Sequence, residues 1–323
     1  MQPGSAPTIY AIDAGGSRTV AAVARPGEPV ETWVRESFAI ASVGEQAAGA
    51  ALEAVLREIA ARCAPGEPAV GCLASSSIPV ADEAPVPAAL LDVISRHAPG
   101  GRLVVVNDVI PPLWASPLEG IGVIACSGTG SSVIGRNGDN RMIKVGGHEH
   151  IVSDQGSAYS IAREGLRAAA RDTDGTGPST KLRAAAEAFF AMPLPALGRW
   201  LAELPRARST VASFAPSVIA AAVDDDNVAV AIVEAEALAL VDAIRTATLQ
   251  LAFGGVAPIG FAGGVLRGSP YFRGIVEREL ETHSLTDSLR ANLNVVDGSN
   301  AGIEYAKRIA DADAPEGLVL DLG

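Results

Sequence analysis

The chain has 323 residues, of which 48% are hydrophobic and 19% are charged, and its formal net charge is -12. This length exceeds what one hydrophobic core usually spans, and the apolar content excludes long disorder, so we expect two domains. The acidity, without a compensating Lys/Arg run, excludes nucleic acid as an expected partner because it would repel a phosphate backbone.

The first third of the sequence predicts a mixed sheet with crossovers, because short apolar runs alternate with Ala-rich helical stretches. Pro111 and Pro112 argue against a helix directly after the last strand of this region. The predicted elements are strands over 9–13, 19–24, 30–34, 70–73 and 103–106, with helices over 45–61 and after Pro85.

A second series of strands and helices begins at Ile121. Both series open with an apolar strand, a Gly-rich turn and a second strand, which is a weak repeat of architecture. We expect a helical, Ala-rich layer over 172–252 and a loosely held tail after Asp313. The predicted elements are strands over 121–126, 133–136, 141–145, 258–262 and 293–296, and helices over 156–171, 226–252, after Ser269 and over 299–312.

These elements predict an α/β protein of two domains. The first covers residues 1–115 and is completed by the C-terminal residues 299–323. The second covers residues 116–298 and carries the helical layer as an insertion.

The N-terminal segment and the cysteines indicate a reducing compartment. The first residues lack a basic region followed by a long apolar stretch, and no later apolar run reaches membrane-spanning length. Cys63, Cys72 and Cys126 have no CxxC spacing, which favours reduced thiols over disulfides or a zinc site. We expect a cytoplasmic protein that contacts no membrane.

The first Gly-rich turn, DAGGSRT at 13–19, has the composition of a phosphate-binding loop. Its glycines permit close approach of backbone N–H groups to a phosphate, and Asp13 can hold Mg²⁺ directly or through water. An Asx-type hairpin turn explains the same residues equally well. The candidate phosphate ligands are Gly15, Gly16, Ser17 and Thr19.

Two further glycine turns follow apolar strands. The turn SGTGSS at 127–132 can wrap the other side of a triphosphate, although a plain hairpin turn is the commoner explanation. AGGV at 262–265 leaves room for an adenine ring against the backbone of Gly263 and Gly264, with a plain strand-to-helix turn as the alternative. The phosphate candidates in the earlier turn are Gly128, Thr129, Gly130 and Ser131.

Asp108 follows the apolar strand LVVV, where open sheets usually carry their functional groups. A carboxylate there can take the proton of an acceptor hydroxyl during phosphoryl transfer. Alternatively, it caps the segment that follows.

Asp154 stands ahead of an amphipathic helix and can cap that helix, bind substrate or bind a magnesium-bound water. His148 and His150 lie on a Gly-rich loop without further metal ligands, and we expect them to face substrate or solvent.

The order of these motifs resembles the BadF/BadG/BcrA/BcrD-type ATPase family and, within it, the N-acetylglucosamine kinases. DAGGSRT, ND, SGTGSS, GGHEHIVSDQGSAY and AGGV follow one another over most of the chain. The resemblance implies two ribonuclease-H-like lobes of the actin-like ATPase fold, with ATP in an interlobe cleft. It also implies an ATP-dependent kinase acting on a hydroxyl of an amino sugar or hexose, with Mg²⁺, and often a homodimer.

The resemblance assigns roles to individual residues. Asp108 corresponds to the catalytic base, the turns 13–19 and 128–131 to the phosphate loops, and Gly263 and Gly264 to the adenosine site. The sugar-binding residues that it implies are Ser75, Asn107, Asp108, Thr129, Gly147, His148 and Asp154.

Several positions depart from the family pattern. DAGGS replaces the usual DGGGT of the first loop with small residues, which phosphate binding tolerates. The Asn that N-acetylglucosamine kinases carry falls near Ala39, GGWG reads GGHE at 146–149, and DE reads Asp154-Gln155. Because a pocket built for hydroxyls discriminates strongly, the acceptor can differ from N-acetylglucosamine, with glucosamine, an N-acetylmuramic-type sugar or another hexose as alternatives.

Two further hypotheses compete with the sugar kinase. A partner-activating ATPase switch of the BadF type needs paired cysteine ligands for an iron–sulfur cluster, and the cysteines here do not stand in the later half where those activators carry them. A sugar or nucleotide sensor without turnover would fit the altered sugar-side positions. Retention of Asp13, Asp108 and Asp154 argues against the sensor.

Overall fold

The computed structural model describes residues 6–63, 66–80, 85–204, 207–282, 291–296, 298–310 and 317–322. The chain divides into two compact units, one formed by 1–119 with 297–323 and the other by 120–296. Each unit has its own hydrophobic core. Positions 311–316, in the predicted last helix and tail, lie outside the described residues.

The first unit begins with three strands and continues as alternating helices and strands. In chain order its elements up to residue 119 are β1 (Thr8–Ala14), β2 (Arg18–Ala24), β3 (Glu31–Glu36), α1 (Ile40–Val43), α2 (Glu45–Ala60), β4 (Ala69–Ser75), α3 (Ala88–His97), β5 (Gly101–Val106) and α4 (Ile110–Trp114).

The second unit repeats this beginning and adds a helical layer, after which the chain returns to the first unit. The elements of the second unit are β6 (Gly122–Ser127), β7 (Ser131–Arg136), β8 (Met142–Gly146), α5 (Glu149–Val152), α6 (Ala158–Thr173), α7 (Leu182–Phe190), α8 (Leu194–Glu203), α9 (Ala207–Ala212), α10 (Ala215–Val223), α11 (Asn227–Leu251), β9 (Ala257–Ala262), α12 (Gly264–Gly268), α13 (Pro270–Thr282) and β10 (Ala291–Val295). The returning elements are α14 (Gly298–Ala310) and β11 (Leu318–Leu322).

The sheet of the first unit has the order β11-β5-β4-β1-β2-β3. The strands β1, β2 and β3 form an antiparallel meander, whereas β4 and β5 run parallel to β1. One face packs on the apolar sides of α2 and α3, where Leu52, Leu56 and Leu90 are fully buried. The helix α14 packs near β1 and β4, and Gly302 lies so close to Ala11 that an added Cβ would stand 2.8 Å from the alanine Cβ.

The sheet of the second unit has the order β10-β9-β6-β7-β8 and repeats the same arrangement. The strands β6, β7 and β8 form an antiparallel meander, while β9 and β10 run parallel to β6. The long helix α11 packs on this sheet and buries Val233, Leu240 and Ile244. The predicted mixed α/β fold and its repeated architecture are therefore confirmed.

Two local predictions are wrong. Pro111 and Pro112 were expected to disfavour a helix, but they lie in the first turn of α4. The first N–H groups of a helix make no intrahelical hydrogen bond, so proline loses nothing there. The tail is also not loose throughout, since β11 pairs antiparallel with β5, with Leu320 opposite Leu103. An open strand edge with unpaired backbone groups offers this segment a partner that local sequence does not reveal.

Where the chain is described, no helix combines the length and the apolar composition that crossing a membrane requires.

Candidate functional site

The carboxyl ends of β1, β4 and β5 gather the predicted polar residues of the first unit. Parallel pairing places Asp13 opposite Ala74 in β4, and Ala74 in turn lies opposite Val106 of β5. The side chains of Asp13, Ser75, Asn107 and Asp108 therefore follow one edge of the sheet. This is the edge at which open α/β sheets hold their ligands.

Asn107 fixes the turn that carries Asp108. Its side-chain amide donates a hydrogen bond to the carbonyl oxygen of Ile78, and its Oδ1 accepts one from the N–H of Val109 at 3.2 Å. Ser75 is fully buried, and its Oγ accepts a hydrogen bond from the N–H of Ser77 at 3.2 Å. In this conformation both predicted sugar ligands hold the loop in place, and the partly exposed Asp108 lies between β5 and α4.

The first glycine turn joins β1 to β2. An ideal Cβ on Gly15 would meet nothing closer than the carbonyl oxygen of Arg18 at 3.9 Å, so the fold itself does not require glycine there. Gly16 is half-buried and Ser17 is exposed. Thr19 is fully buried, and its Oγ1 has no hydrogen-bond partner among the described residues, so Ser17 is the exposed hydroxyl of the pair.

Burial perturbs the carboxylate of Asp13. Desolvation raises its pKa to about 6, and the positive charge of Arg18 offsets only part of that shift. A carboxylate held at a desolvated position gains from a nearby cation. Mg²⁺ in nucleotide sites commonly uses one or two carboxylates together with phosphate oxygens and water, so a single partly exposed Asp13 fits such an ion.

The raised pKa predicts how Asp13 affects stability in buffer without Mg²⁺ or ATP. Between the unfolded pKa near 4 and the folded pKa of about 6, the folded state binds the extra proton, so stability falls as the pH rises through this range. We expect Asp13→Asn to have a higher free energy of unfolding than the unmodified protein at pH 8. This gain should be about 1–2 kcal/mol larger at pH 8 than at pH 5. Urea unfolding at both pH values measures this difference.

The exposed Asp92→Asn serves as the matched control for Asp13→Asn, since its carboxylate pairs with Arg96 at the surface of α3. It measures the effect of removing a carboxylate from the surface of the same unit. A pH-independent effect of Asp13→Asn would contradict the desolvated state of this carboxylate.

The second glycine turn joins β6 to β7 and is clamped by the segment that leads into α6. The carbonyl oxygens of Gly128 and Thr129 accept hydrogen bonds from the first N–H groups of α6, at 2.8 and 3.3 Å. Ser131 Oγ donates to the carbonyl of Gln155 at 2.6 Å. The clamp fixes the backbone of the turn before any ligand binds, which lowers the entropic cost of binding.

The turn that contains Gly263 and Gly264 lies directly beside the second glycine turn. Gly263 has φ +88°, and an added Cβ would stand 2.3 Å from the carbonyl oxygen of Ser127, so only glycine fits there. An added Cβ on Gly264 would meet no atom within 4 Å. The structure thus brings the predicted phosphate turn 128–131 and the predicted adenosine turn together.

Asp154 faces the second glycine turn and is almost fully buried, with φ +69°. Its Oδ2 accepts a hydrogen bond from Nη2 of Arg208 at 2.6 Å, while Nη1 of Arg208 reaches Oε2 of Glu149 at 2.6 Å. Burial raises the pKa of Asp154, and the charge of Arg208 opposes that shift. An added Cβ on Gly130 would lie 2.7 Å from Asp154 Oδ2, so the ion pair needs the space that this glycine leaves.

The remaining predicted sugar-side residues occupy the segment between β8 and α5. Gly147 has φ +70°, and an added Cβ would stand 2.8 Å from the Cβ of Ser132. His148 is exposed, and its backbone N–H donates a hydrogen bond to Ser153 Oγ at 2.8 Å. His150 packs edge-on against the ring of Tyr159 with centroids 4.9 Å apart. In the described part of the chain, no group of three His, Cys, Asp or Glu side chains could hold a metal.

Sequence reasoning missed Glu236, which anchors the clamping segment from the helical layer. Its Oε2 accepts a hydrogen bond from the N–H of Gly156 at 2.5 Å, and its Oε1 accepts one from Ser160 Oγ at 2.7 Å. Burial raises its pKa, and these two hydrogen bonds oppose the shift. The signal was present, because Glu236 interrupts an apolar stripe that includes Val233 and Leu240 at helical spacing.

The sequence matches the model of the BadF/BadG/BcrA/BcrD ATPase family over residues 11–286. A stretch of 91 residues, 28% of this chain, is 37% identical to the N-acetylmuramic acid/N-acetylglucosamine kinase of Clostridium acetobutylicum and spans 30% of that kinase. The chain therefore matches less than a third of this curated relative.

The fold is similar to those of several solved structures. A candidate N-acetylglucosamine kinase from Chromobacterium violaceum matches with a TM-score of 0.71 at 20% identity, over 93% of this chain and 99% of that chain. A ROK-family glucokinase from Streptomyces griseus, solved in complex with glucose and AMPPNP, has a TM-score of 0.54 at 16% identity, over 95% of this chain and 100% of that chain. At these identities the similarity concerns the fold.

Proposed function

Because the chain belongs to the BadF/BadG/BcrA/BcrD ATPase family, we propose that it is an ATP-dependent sugar kinase that phosphorylates a hydroxyl of an amino sugar or hexose. The observation that carries the proposal is the repeated glycine turn. Each unit places such a turn between the first two strands of an equivalent sheet, at 13–19 and at 127–132. Each turn can offer backbone N–H groups to phosphate oxygens.

In the proposal, each turn by itself binds phosphate oxygens through its backbone N–H groups, and in the first turn the Ser17 hydroxyl is a further donor. Thr129 and Ser131 belong to the turn that is clamped in place, and Gly264 offers an open backbone surface for adenine. The space around the glycines supports these ligand roles. Gly263 is needed by the fold, whereas no described contact demands glycine at Gly264 or Gly15.

Asp108 is the proposed general base. Its carboxylate takes the proton of the acceptor hydroxyl as that oxygen forms a bond to the γ-phosphorus, while the bond to the bridging oxygen breaks and ADP leaves with the electron pair. Asn107 keeps the Asp108 turn in place through its bonds to Ile78 and Val109. Most of the rate enhancement in such reactions comes from positioning and charge stabilisation, which a fixed turn supplies.

Mg²⁺ fits the desolvated carboxylate of Asp13, which would hold it directly or through water. When bound with ATP, the ion neutralises charge on the phosphate oxygens.

The acceptor is proposed to be an amino sugar, as the name of the Clostridium acetobutylicum relative suggests. The sugar side differs from the family pattern at the buried Ala39 and at the exposed His148. These differences change the hydroxyl-binding groups of the pocket and favour an acceptor other than N-acetylglucosamine itself.

The proposed function is tested by incubating the purified protein with ATP and Mg²⁺ and a panel of amino sugars and hexoses, while ADP release is followed. The panel includes glucosamine, N-acetylglucosamine, N-acetylmuramic acid, glucose and mannose. ADP release that depends on one sugar, with a phosphorylated sugar identified by mass spectrometry, supports the kinase. ADP release that no sugar stimulates would instead support an ATPase switch.

Gly264→Ala tests the adenosine assignment without disturbing the fold. The added Cβ would meet no atom of the described structure within 4 Å, so we expect an unchanged melting temperature. If adenine lies against this backbone, the methyl group would raise the KM for ATP about tenfold, as expected for a clash worth roughly 1.4 kcal/mol. Equal ATP affinity of this variant and the unmodified protein in calorimetry would contradict the assignment.

A further inference from the structure

The guanidinium of Arg208 lies directly against the second glycine turn, although no sequence motif pointed to this residue. Arg208 stands on α9 in the helical layer, and its side chain is 13% exposed. An ideal Cβ on Gly130 would lie 2.5 Å from Arg208 Nη2. The guanidinium therefore occupies the space that glycine leaves open at the proposed phosphate turn.

Two carboxylates hold this guanidinium in one orientation. Nη2 donates to Asp154 Oδ2 and Nη1 donates to Glu149 Oε2, both at 2.6 Å. A planar guanidinium fixed at both terminal nitrogens loses little further freedom when one of its other N–H groups meets a ligand. Without Arg208, the same two carboxylates would place uncompensated negative charge beside the proposed phosphate site.

The Nε–H of Arg208 is one of the donors that these two ion pairs leave unused. Its Nε is buried and makes no hydrogen bond within the described part of the chain. Buried donors in native proteins nearly always have a partner, so an orphan donor on a guanidinium beside the proposed phosphate turn is consistent with a ligand at that turn. Phosphoryl oxygens are the acceptors that a turn such as 128–131 would bring to this position, and the guanidinium suits their geometry.

We propose that Arg208 is a catalytic residue whose guanidinium, held beside Gly130, donates a hydrogen bond to a non-bridging oxygen of the transferred phosphoryl group. This assignment rests on the proposed kinase function. The guanidinium stays protonated throughout and stabilises the negative charge on the phosphoryl oxygens while the group moves. Asp154 and Glu149 act through it by holding it in position.

The experiment compares two variants that share the same change at Asp154. Arg208→Met alone would leave the buried Asp154 without its partner and could unfold the protein, so Asp154→Asn is the reference and Asp154→Asn with Arg208→Met is the test. We expect the double variant to have a kcat about 100-fold below that of Asp154→Asn, the usual effect of losing one preorganised donor. The KM for the sugar is expected to be equal in both, and Arg208→Lys is expected to retain part of the kcat.

Calorimetry with AMPPNP and with AMP separates a phosphoryl contact from a general defect. The double variant is expected to bind AMPPNP about tenfold more weakly than Asp154→Asn does, the loss expected for one hydrogen bond to a charged group. Its affinity for AMP is expected to be unchanged. Arg167→Met is the matched control, because this exposed arginine on α6 pairs only with Glu164 among the described residues.

The outcomes distinguish this inference from the proposed function. If the unmodified protein phosphorylates a sugar and the double variant has the kcat of Asp154→Asn, the role of Arg208 is wrong and the kinase stands. If no sugar is phosphorylated, the kinase is wrong, and AMPPNP affinity still decides whether Arg208 contacts the phosphates. If the unmodified protein binds no nucleotide, both proposals fail.

Discussion

Replacing Asp108 with asparagine is expected to lower sugar-dependent turnover about 10³-fold, within the range that removal of a general base usually gives. The amide has nearly the same shape as the carboxylate but cannot accept the proton of the acceptor hydroxyl. Asn107 would still hold the turn through Ile78 and Val109, so the fold and the affinity for ATP should change little. The measured quantities are kcat, the two KM values and the melting temperature.

Asp92→Asn is the control for this change as well, because it removes a carboxylate from an exposed position of the same unit. It is expected to keep full turnover. Asp108→Asn with unchanged kcat would show that Asp108 is not the base. A variant with a melting temperature far below that of the unmodified protein would point to a structural role for Asp108.

Gly130→Ala is expected to impair both stability and turnover. The new Cβ would lie 2.5 Å from Arg208 Nη2 and 2.7 Å from Asp154 Oδ2, so the buried ion pair must move. Overpacking of this kind typically costs about 1–3 kcal/mol. Displacement of catalytic groups by about 1 Å can lower turnover roughly 10²-fold, and we expect at least that loss in kcat.

Gly138→Ala is the matched control for Gly130→Ala, because Gly138 lies in the next hairpin turn of the same sheet and an added Cβ would meet nothing within 4 Å. Its stability and turnover should equal those of the unmodified protein. Urea unfolding and the sugar-dependent assay measure both variants. If Gly130→Ala behaved like Gly138→Ala, the ion pair would have no fixed position at the turn.

Periodicity of apolar residues was sufficient to predict most elements of the fold. The strand runs and the helix over 226–252 are regular signals, and α11 begins at Asn227 with Asp226 as its cap. The family resemblance, based on the order of the motifs, is also confirmed. The wrong predictions, at α4 and β11, concern short segments whose structure depends on position in the fold, which local propensity does not encode.

The candidate site was less predictable because its groups come from distant parts of the chain. Glycine turns and strand-end carboxylates have local signatures, and the predictions for Asp13, Asp108 and the turn 128–131 are based on them. Arg208 has no such signature, since a charged residue on a short helix is usually solvated. Only tertiary packing brings it to Gly130. The homodimer and the cytoplasmic location remain predictions.

The return of the chain to the first unit has a consequence for biosynthesis. The second unit is one continuous stretch, 120–296, whereas the first unit also needs α14 and β11 from the end of the chain. During translation the second unit can therefore complete its fold while the first still exposes the edge of β5 and the apolar surface that α14 covers. The domain that is synthesised first is the one that finishes folding last, and its open strand edge is the part of the nascent chain most in need of protection from aggregation.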